Sequence, residues 1–349
     1  MAGERPARNT ERLDGSSPDD RARAVRLLRA GGLVAIPTET VYGLAALALD
    51  PLAVRAIYAA KGRPATNPLI VHTHDAESAR ALTSHWPPLA SALAASFWPG
   101  PLTLVLPRAD SVPDEVTAGG PTVAVRVPAH PVARALLELL QKPLAAPSAN
   151  RSEHVSPTTA AHALADLDGR IDAVLDGGPC AWGIESTVLQ LGVGGPRLLR
   201  AGAIARDALE AITGPIAPGT APIRQGASVL VHASPGQHRR HYAPAGLVRL
   251  CSGATLVQAL AELGAIAQAT VQDPPVLGAL LCGGEGLAPP DGIAIRLPGE
   301  PAGYARGLYA ALRELEDQGC SAIAIEEVPG GVAWDAVRDR LARAATASS

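Results

Sequence analysis

Lysine is almost missing from this chain, which has only Lys61 and Lys142 beside 28 arginines. The four cysteines lie far apart and show no CxxC or mixed His/Cys spacing, which argues against a zinc site. No run of about 18 apolar residues predicts a membrane span. The first residues contain no apolar stretch that would indicate a signal peptide. We therefore expect a cytoplasmic protein with free thiols.

The composition is that of a globular protein long enough for two domains. The chain has 349 residues, 47% of them hydrophobic and 18% charged, with a net charge of -3. Lys and Arg total 24 against 21 Asp and Glu in residues 1–250, but 6 against 12 in residues 251–349. The net charge excludes a protein that coats nucleic acid non-specifically. The excess of basic residues lies in residues 1–250. GxSxG, Walker A, HExxH and kinase motifs are absent.

The pattern of elements predicts an α/β (α+β) protein with four segments. Residues 1–17 are expected to form a disordered polar tail. Residues 18–206 mix strands and helices without a strict βαβ rhythm, which predicts a twisted mixed sheet with flanking helices. Residues 207–246 carry five prolines and are expected to form a connector that closes as a lid. Residues 247–346 alternate strand and helix, which predicts a small Rossmann-like, doubly wound domain.

Several helix bounds follow from local chemistry. Asp19 or Asp20 is expected to cap the first helix, and Ser156 or Thr158 the helix over SPTTAAHALADLDG. The stretch AESARALTSHW is expected to be one helix.

Lys61 and Arg63 form a cationic pair at the end of a predicted helix, and a strand ending in His72 follows. Arg offers a planar fork and Lys a compact charge, which suits a polyphosphate. The alternative is a solvated helix C-terminus, which favours cations in any case.

The stretch PTETVYGL at 37–44 places three hydroxyl groups and a carboxylate after a buried strand. Such loops bind ligands in α/β proteins, so the hydroxyl of Thr40 could address a small polar ligand. A turn that satisfies its own backbone is an equally good interpretation.

Arg126 lies on an otherwise aliphatic strand, on the same face as Thr122. A buried guanidinium needs an anionic partner. That partner is either a ligand or another side chain in an internal salt bridge.

Further polar residues follow other predicted strands. The stretch APSAN at 146–150 leads to Ser156, where a helix N-terminus could hold phosphate or the serine could simply cap the helix. Ser186 and Arg200 add a hydroxyl group and a cation at strand ends.

These stretches, in this order, resemble the YrdC-like family, the threonylcarbamoyl-AMP synthases, in its long two-domain form. The resemblance covers nearly the whole chain after residue 17. Two departures are Glu153, where the family commonly has Gly, and Gln237-His238, where it commonly has Met and Tyr. The matching stretches are PTETVYGL (37–44), KGRPATNPLIVH (61–72), FWPGPLTLVL (97–106), TVAVRVP (122–128), APSAN (146–150), SPT (156–158), ESTV (185–188), RLLRAG (197–202) and SPGQHRRHYAP (234–244).

The resemblance implies an ATP-using nucleotidyltransferase. L-threonine, bicarbonate and ATP with Mg²⁺ would give threonylcarbamoyl-AMP and pyrophosphate, for N6-threonylcarbamoyladenosine in tRNA. Transfer proteins would receive the product, with at most a weak tRNA contact and no membrane contact.

The resemblance also assigns site residues, and none of them as a metal ligand. Lys61 and Arg63 are the expected catalytic residues. The expected ATP-binding residues are Arg63, Asn67, Thr122, Ser148, Ser156, Arg200 and Tyr242, the last as part of the lid. The expected threonine-binding residues are Thr40, His72, Arg126, Ala146 through its backbone, and Ser186.

Two rival interpretations remain. The same arginines could bind RNA phosphates without catalysis, which salt-sensitive RNA binding without ATP turnover would reveal. A relative that acts on another carbamoyl compound would carry zinc-finger-like and acylphosphatase-like parts, which this sequence lacks.

Overall fold

The chain forms two compact units. The computed structural model describes residues 9–218, 223–225, 229–231, 244, 246–269, 274–284 and 292–345. Among the described helices, none is long and apolar enough to cross a membrane. The first unit comprises Met1–Ser152, Pro157–Ala181 and Glu185–Gln237, and the second comprises Glu153–Ser156, Trp182–Ile184 and His238–Ser349.

The first unit is built on a mixed sheet of eleven strands with eight helices described around it. Its strands are β1 (Glu11–Asp14), β2 (Val34–Ile36), β3 (Gly43–Leu47), β4 (Ile70–His72), β5 (Leu102–Pro107), β6 (Thr122–Arg126), β7 (Leu144–Ala145), β8 (Ala173–Asp176), β9 (Thr187–Gly192), β10 (Gly195–Arg200) and β11 (Ala217–Pro218). Its helices are α1 (Pro18–Arg29), α2 (Pro51–Lys61), α3 (Ala76–Arg80), α4 (Pro88–Phe97), α5 (Asp114–Thr117), α6 (Pro131–Leu140), α7 (Ala160–Leu167) and α8 (Arg206–Thr213).

The strand order is β1-β8-β2-β3-β7-β4-β6-β5-β9-β10-β11. Parallel pairs such as β4–β6 and β5–β9 alternate with antiparallel pairs such as β5–β6 and β9–β10. The predicted mixed sheet with flanking helices is therefore confirmed. A separate antiparallel pair joins β12 (Ile223–Gln225) to β13 (Val229–Val231).

The two faces of the large sheet are packed differently. One face packs against α2, α4, α5, α7 and α8 in the main core, where Val71 and Leu104 are buried. Part of the other face packs against α1 and α6. The rest of that second face carries a small apolar cluster of Ile70, Val105, Ala124 and Val188, with Leu199 packed against it.

The second unit contains a four-stranded parallel sheet, in the order β14-β17-β15-β16. This arrangement confirms the predicted α/β class of the C-terminal part. Strand β16 was not predicted from the sequence. The elements are β14 (Leu247–Cys251), α9 (Leu256–Gln268), β15 (Val276–Cys282), β16 (Ile293–Leu297), α10 (Pro301–Asp317), β17 (Cys320–Glu326) and α11 (Asp335–Ala345).

The predicted tail differs from the structure over its last residues. Glu11–Asp14 forms strand β1, which pairs in parallel with β8. Leu13 is buried in the core beside α1 and α6, and Arg23 of α1 forms an ion pair with Glu11. A long-range partner thus orders a segment that looks polar in isolation.

Three helix predictions are corrected. Helix α1 is capped by the hydroxyl of Ser17, which accepts from the amide of Asp20, so the acidic residues lie in the first turn. Helix α7 is capped by Thr159, one residue beyond Thr158 and three beyond Ser156, the two predicted caps. The helix expected over AESARALTSHW ends at Arg80, since the chain turns to let Thr83 bridge to Arg108 beside β5.

Candidate active site

A single row of residues crosses five neighbouring strands on the face with the small apolar cluster. His72 of β4 pairs in register with Arg126 of β6, and Val188 of β9 pairs with Arg200 of β10. Thr103 of β5 pairs with Val188, and the β5–β6 register, continued by one residue, places Thr103 opposite Arg126. Neighbouring strands lie about 4.8 Å apart, so this row spans about 19 Å. The sheet register therefore brings together three of the predicted site residues.

Arg126 makes three contacts inside the protein. Its Nη2 lies 2.6 Å from Oε1 of Glu39, as an ion pair whose angles are not those of a hydrogen bond. Its Nη1 donates to the Thr40 hydroxyl at 3.0 Å, and its Nε donates to the Gly100 carbonyl at 3.2 Å. The second oxygen of Glu39 accepts from the amide of Ala129. The internal salt bridge left open by the sequence is thus present, and it fixes the guanidinium beside Thr40.

His72 is held as a neutral imidazole. Burial, followed by the nearby charge of Arg126, lowers the pKa of His72 to about 3. Its Nδ1 is buried and has no hydrogen-bond partner in the described structure. A neutral ring with an unpaired nitrogen can still bind a polar ligand group.

Ser186 links the predicted threonine-binding residues to the predicted ATP-binding residues. Its hydroxyl lies 2.8 Å from that of Thr103, and it accepts from Nη2 of Arg200 at 3.1 Å. Nε of Arg200 donates to the Ser186 carbonyl. Gly202 packs so closely that a Cβ there would lie 2.4 Å from the carbonyl carbon of Ser186. The backbone around Ser186 is therefore tightly fixed.

Lys61 is placed by the end of α2. Asp50 caps this helix, and Gly62 ends it in the left-handed conformation, with φ 61°. The ammonium group of Lys61 is buried and donates to the carbonyls of Ser148, at 2.5 Å, and of Asn150. Burial, followed by the charge of Arg63, lowers the pKa of Lys61 well below its usual value. Lys61 thus holds the 148–150 loop, which corrects the alternative of a solvated helix end.

Arg63 and Asn67 lie together just after α2. The Arg63 guanidinium donates to the carbonyls of Asn67, at 3.3 Å, and of Pro68, at 3.0 Å. Oδ1 of Asn67 is buried without a hydrogen-bond partner in the part of the chain described. This oxygen is available as an acceptor for a ligand.

The loops at 37–44 and 146–150 are joined by backbone hydrogen bonds. Leu44 donates to Pro147 at 2.7 Å, and Ala149 donates to Tyr42 at 2.8 Å. The amide of Ala146 donates to the carbonyl of Ile70 at 2.9 Å, which leaves the Ala146 carbonyl as the group a ligand could reach. These bonds connect Thr40, Lys61 through its loop, and the strand of His72.

The structure does not place the other predicted residues, Thr122, Ser156 and Tyr242, next to the row. Thr122 shares the face of Arg126 but begins β6, about 13 Å away along the strand. Ser156 is fully buried, in the short segment that belongs to the second unit. Tyr242 lies outside the described residues, so its role in a lid stays a prediction.

Glu39 and Thr103 were missed as contact residues by the sequence analysis. Glu39 was visible as the carboxylate in PTETVYGL, but its partner Arg126 is 87 positions away and could not be chosen from the sequence. Thr103 lies in a run of aliphatic residues, where a threonine is an ordinary strand residue.

A large cavity elsewhere in the first unit does not coincide with these residues. It measures about 1160 Å³ and lies among α3, α4 and the segment from Trp98 to Pro99, with Val127 and Arg134 in its wall. We place the candidate site by its converging polar contacts, because none of the predicted site residues lines this cavity. No group of three or more His, Cys, Asp or Glu that could hold a metal ion occurs among the described residues.

Two family models match the chain. The Sua5_yciO_yrdC family, described as telomere recombination, matches residues 26–202. The family described as threonylcarbamoyl-AMP synthase, C-terminal domain, matches residues 204–346.

Relatives and solved structures agree with these models. The chain is 47% identical to the threonylcarbamoyl-AMP synthase of Bacillus subtilis over 70% of both chains. It is 36% identical to that of Schizosaccharomyces pombe, over 90% of this chain and 85% of the relative. It is 38% identical to P. abyssi Sua5, solved in complex with L-threonine, with a TM-score of 0.82 over 97% of both chains.

The predicted resemblance is confirmed, because the two models together account for nearly all of residues 26–346 and the similarity to solved Sua5 covers almost the full length. The chain therefore belongs to the two-domain Sua5 family of threonylcarbamoyl-AMP synthases, enzymes that make an adenylate intermediate for tRNA modification.

Proposed function

We propose that the face carrying the row from His72 to Arg200 binds L-threonine and ATP side by side. The chain then joins threonine, bicarbonate and ATP into threonylcarbamoyl-AMP, pyrophosphate and water. The observation that carries this proposal is the register of the row, which puts His72, Arg126 and Arg200 on one face within about 19 Å. That width has room for an amino acid beside a triphosphate.

Threonine binds at the Arg126 end of the row. A guanidinium has five N–H groups, and three contacts to protein atoms leave others for the threonine carboxylate. The hydroxyl of Thr40, the hydroxyl of Ser186 and the carbonyl of Ala146 contribute polar contacts around the substrate. His72, being neutral, accepts a hydrogen bond from the threonine amine and adds no positive charge next to it. The amine must be uncharged to react with bicarbonate. A neutral ring has a lone pair that accepts from the amine, whereas an imidazolium has none.

ATP binds at the cationic end. Arg200 and Arg63 pair with its phosphates, since planar guanidinium groups match phosphate oxygens. Lys61 uses two of its three N–H donors to fix the 148–150 loop, and the third is directed to a phosphate oxygen, whose charge favours the ammonium form. Oδ1 of Asn67 accepts from the nucleoside. Thr122 and Ser148 complete the nucleotide contacts from the first unit.

The contact between Ser186 and Arg200 places the two substrates next to each other. The carbamate oxygen of carboxylated threonine must reach the α-phosphorus of ATP while pyrophosphate leaves. Fixed cations near both groups stabilise the charge that develops, and positioning accounts for much of the rate in phosphoryl-type transfers. Mg²⁺ enters bound to the phosphates, because such ions are commonly held by substrate oxygens and water.

The remaining partners follow from the product. Threonylcarbamoyl-AMP is passed to tRNA threonylcarbamoyl-transfer proteins, with at most a weak contact to tRNA. A cytoplasmic location fits the four free cysteines, which need a reducing compartment to remain reduced.

The proposal is tested by measuring pyrophosphate release with threonine, bicarbonate and ATP, omitting each in turn. Release should require all three. Arg200→Ala should lower the rate by about 100-fold or more, as expected for loss of a buried charged contact. Arg197→Ala, on the same strand but exposed, is the matched control and should stay near wild type. Salt-sensitive RNA binding without pyrophosphate release would instead support the nucleic-acid-binding alternative.

A further inference from the structure

Thr103 occupies the middle of the row and has no role in the proposed function. It lies between Arg126 on β6 and Val188 on β9, and it is fully buried. Its hydroxyl oxygen is 2.8 Å from that of Ser186. A polar side chain at this position, among aliphatic neighbours on β5, calls for a physical reason.

The direction of the Thr103–Ser186 hydrogen bond follows from counting protons and lone pairs. Each hydroxyl has one proton to donate and two lone pairs that accept. In the described structure the Ser186 hydroxyl is the sole hydrogen-bond partner of the Thr103 hydroxyl. The reverse direction would leave the buried Thr103 proton without an acceptor even when a ligand is bound, whereas the Ser186 proton can reach the ligand, so Thr103 gives its proton to Ser186.

The remaining proton is that of Ser186. Its oxygen accepts from Thr103 and also from Nη2 of Arg200, at 3.1 Å, so both lone pairs are occupied. Ser186 can then act toward a ligand only as a donor. The ammonium group that threonine carries when it binds cannot receive this proton, whereas a carboxylate or hydroxyl oxygen can.

We infer that Thr103 is a positioning residue that, together with Arg200, makes Ser186 an obligate hydrogen-bond donor to an oxygen of the amino-acid substrate. The inference rests on the proposed function, which places threonine beside Ser186. The receiving oxygen belongs to the carboxylate or to the side-chain hydroxyl, and the two sources are separable by experiment.

The central experiment measures the dissociation constants of L-threonine and of ATP by calorimetry for wild type and Thr103→Val. Valine keeps the branched shape but has no proton to give, so one lone pair of Ser186 is left free and its own proton is no longer confined to the direction of the ligand. The threonine dissociation constant should rise by about tenfold, as for one lost hydrogen bond, and that of ATP should change less than about twofold. Thr103→Ser retains the hydroxyl group and should restore threonine binding.

A second variant shows whether Thr103 acts through Ser186. In a Ser186→Ala background, adding Thr103→Val should have no further effect on threonine binding, because the group it positions is already missing. An equal effect of Thr103→Val with and without Ser186 would overturn the inference.

A third comparison identifies the oxygen. L-2-aminobutyrate has the threonine carboxylate but no hydroxyl group. If Ser186 donates to the carboxylate, Thr103→Val weakens threonine and L-2-aminobutyrate equally; if it donates to the hydroxyl, threonine alone is weakened. Either result supports the inference, and unchanged binding of both contradicts it.

Leu104→Val provides the control for a merely structural effect. Leu104 is equally buried on the same strand but faces the main core, so this change loosens β5 without touching the row. Weakening of threonine and ATP by equal factors in Thr103→Val, as general loosening would produce, would overturn the inference. A wild-type chain that binds threonine but releases no pyrophosphate would contradict the proposed function while leaving the role of Thr103 supported by these binding data.

Discussion

The carboxylate of Glu39 lies 2.6 Å from the guanidinium of Arg126, and both side chains are almost completely buried. The pair connects the loop that follows β2 to the carboxyl end of β6. Glu39 therefore holds Arg126 in the row before any ligand arrives. A substrate carboxylate must share this guanidinium with Glu39, which makes the orientation of the arginine as important as its charge.

Replacing Glu39 by Gln should destabilise the first unit strongly. The change keeps the shape but leaves the guanidinium of Arg126 buried without a counter-charge, which costs about 3–5 kcal/mol. Denaturant unfolding followed for the transition of the first unit measures this cost. Glu138→Gln, which removes the exposed partner of Arg134, should cost less than about 1 kcal/mol. Similar losses in the free energy of unfolding for the two variants would show that the buried Arg126 does not need Glu39 as its counter-charge.

Lys61 should make stability rise with pH in the alkaline range. Burial lowers the pKa of Lys61 in the folded chain well below 10.5, so in the window between the two values the unfolded chain binds more protons. Stability then increases as pH rises through that window. The difference in melting temperature between wild type and Lys61→Met, measured from pH 7 to 10.5, should shift in favour of wild type. A difference that is independent of pH would contradict the buried environment.

His72 should act in the same direction as Lys61, but in the acidic range. Its pKa falls from 6.5 to about 3 on folding, so between these values the unfolded chain takes up a proton that the folded chain does not. Stability falls as pH decreases, by about 1.4 kcal/mol per pH unit from this group. His72→Gln lacks this contribution and should lose less stability than wild type between pH 6.5 and 4. Equal losses, measured by denaturant unfolding, would mean that His72 is not desolvated.

Gly202→Ala should abolish activity by displacing Ser186. An added Cβ would lie 2.4 Å from the Thr187 amide nitrogen and 2.5 Å from the Glu185 carbonyl oxygen, closer than backbone atoms allow. Pyrophosphate release should drop by about 100-fold, because small shifts of binding groups are costly in catalysis. Gly192→Ala, at the end of the neighbouring strand with nothing within 4 Å of the added carbon, should stay near wild type. Full activity of Gly202→Ala would remove the evidence that Ser186 is fixed by its backbone.

The fold could be predicted where local pattern and tertiary structure agree. The aliphatic runs of β5, β6, β15 and β17 identify themselves, since buried strands need β-branched and aliphatic side chains. Strand β1 could not be predicted, because three of its four residues are charged and it is ordered by pairing with β8, more than 150 positions away. The β-strand propensities of individual residues carry no information about such long-range pairings.

The residues of the candidate site could be chosen from the sequence, but their contact partners and relative positions could not. The sequence identifies Arg126 as a cation in need of a partner, yet the choice between a ligand and Glu39 depends on where the loop after β2 lies. Likewise, Lys61 was expected to face phosphate, and the structure shows that most of its donors hold a loop. The row itself depends on the register between strands distant in sequence, which only the folded sheet defines.

The burial of Lys61 also determines how the protein can be labelled. Because the chain has two lysines and Lys61 is buried, Lys142 is the one lysine exposed to solvent. An amine-reactive dye or surface-coupling reagent should therefore modify Lys142 and the α-amino group under native conditions. With Lys142, between α6 and β7, modified first, Lys61 becomes reactive only when the first unit opens.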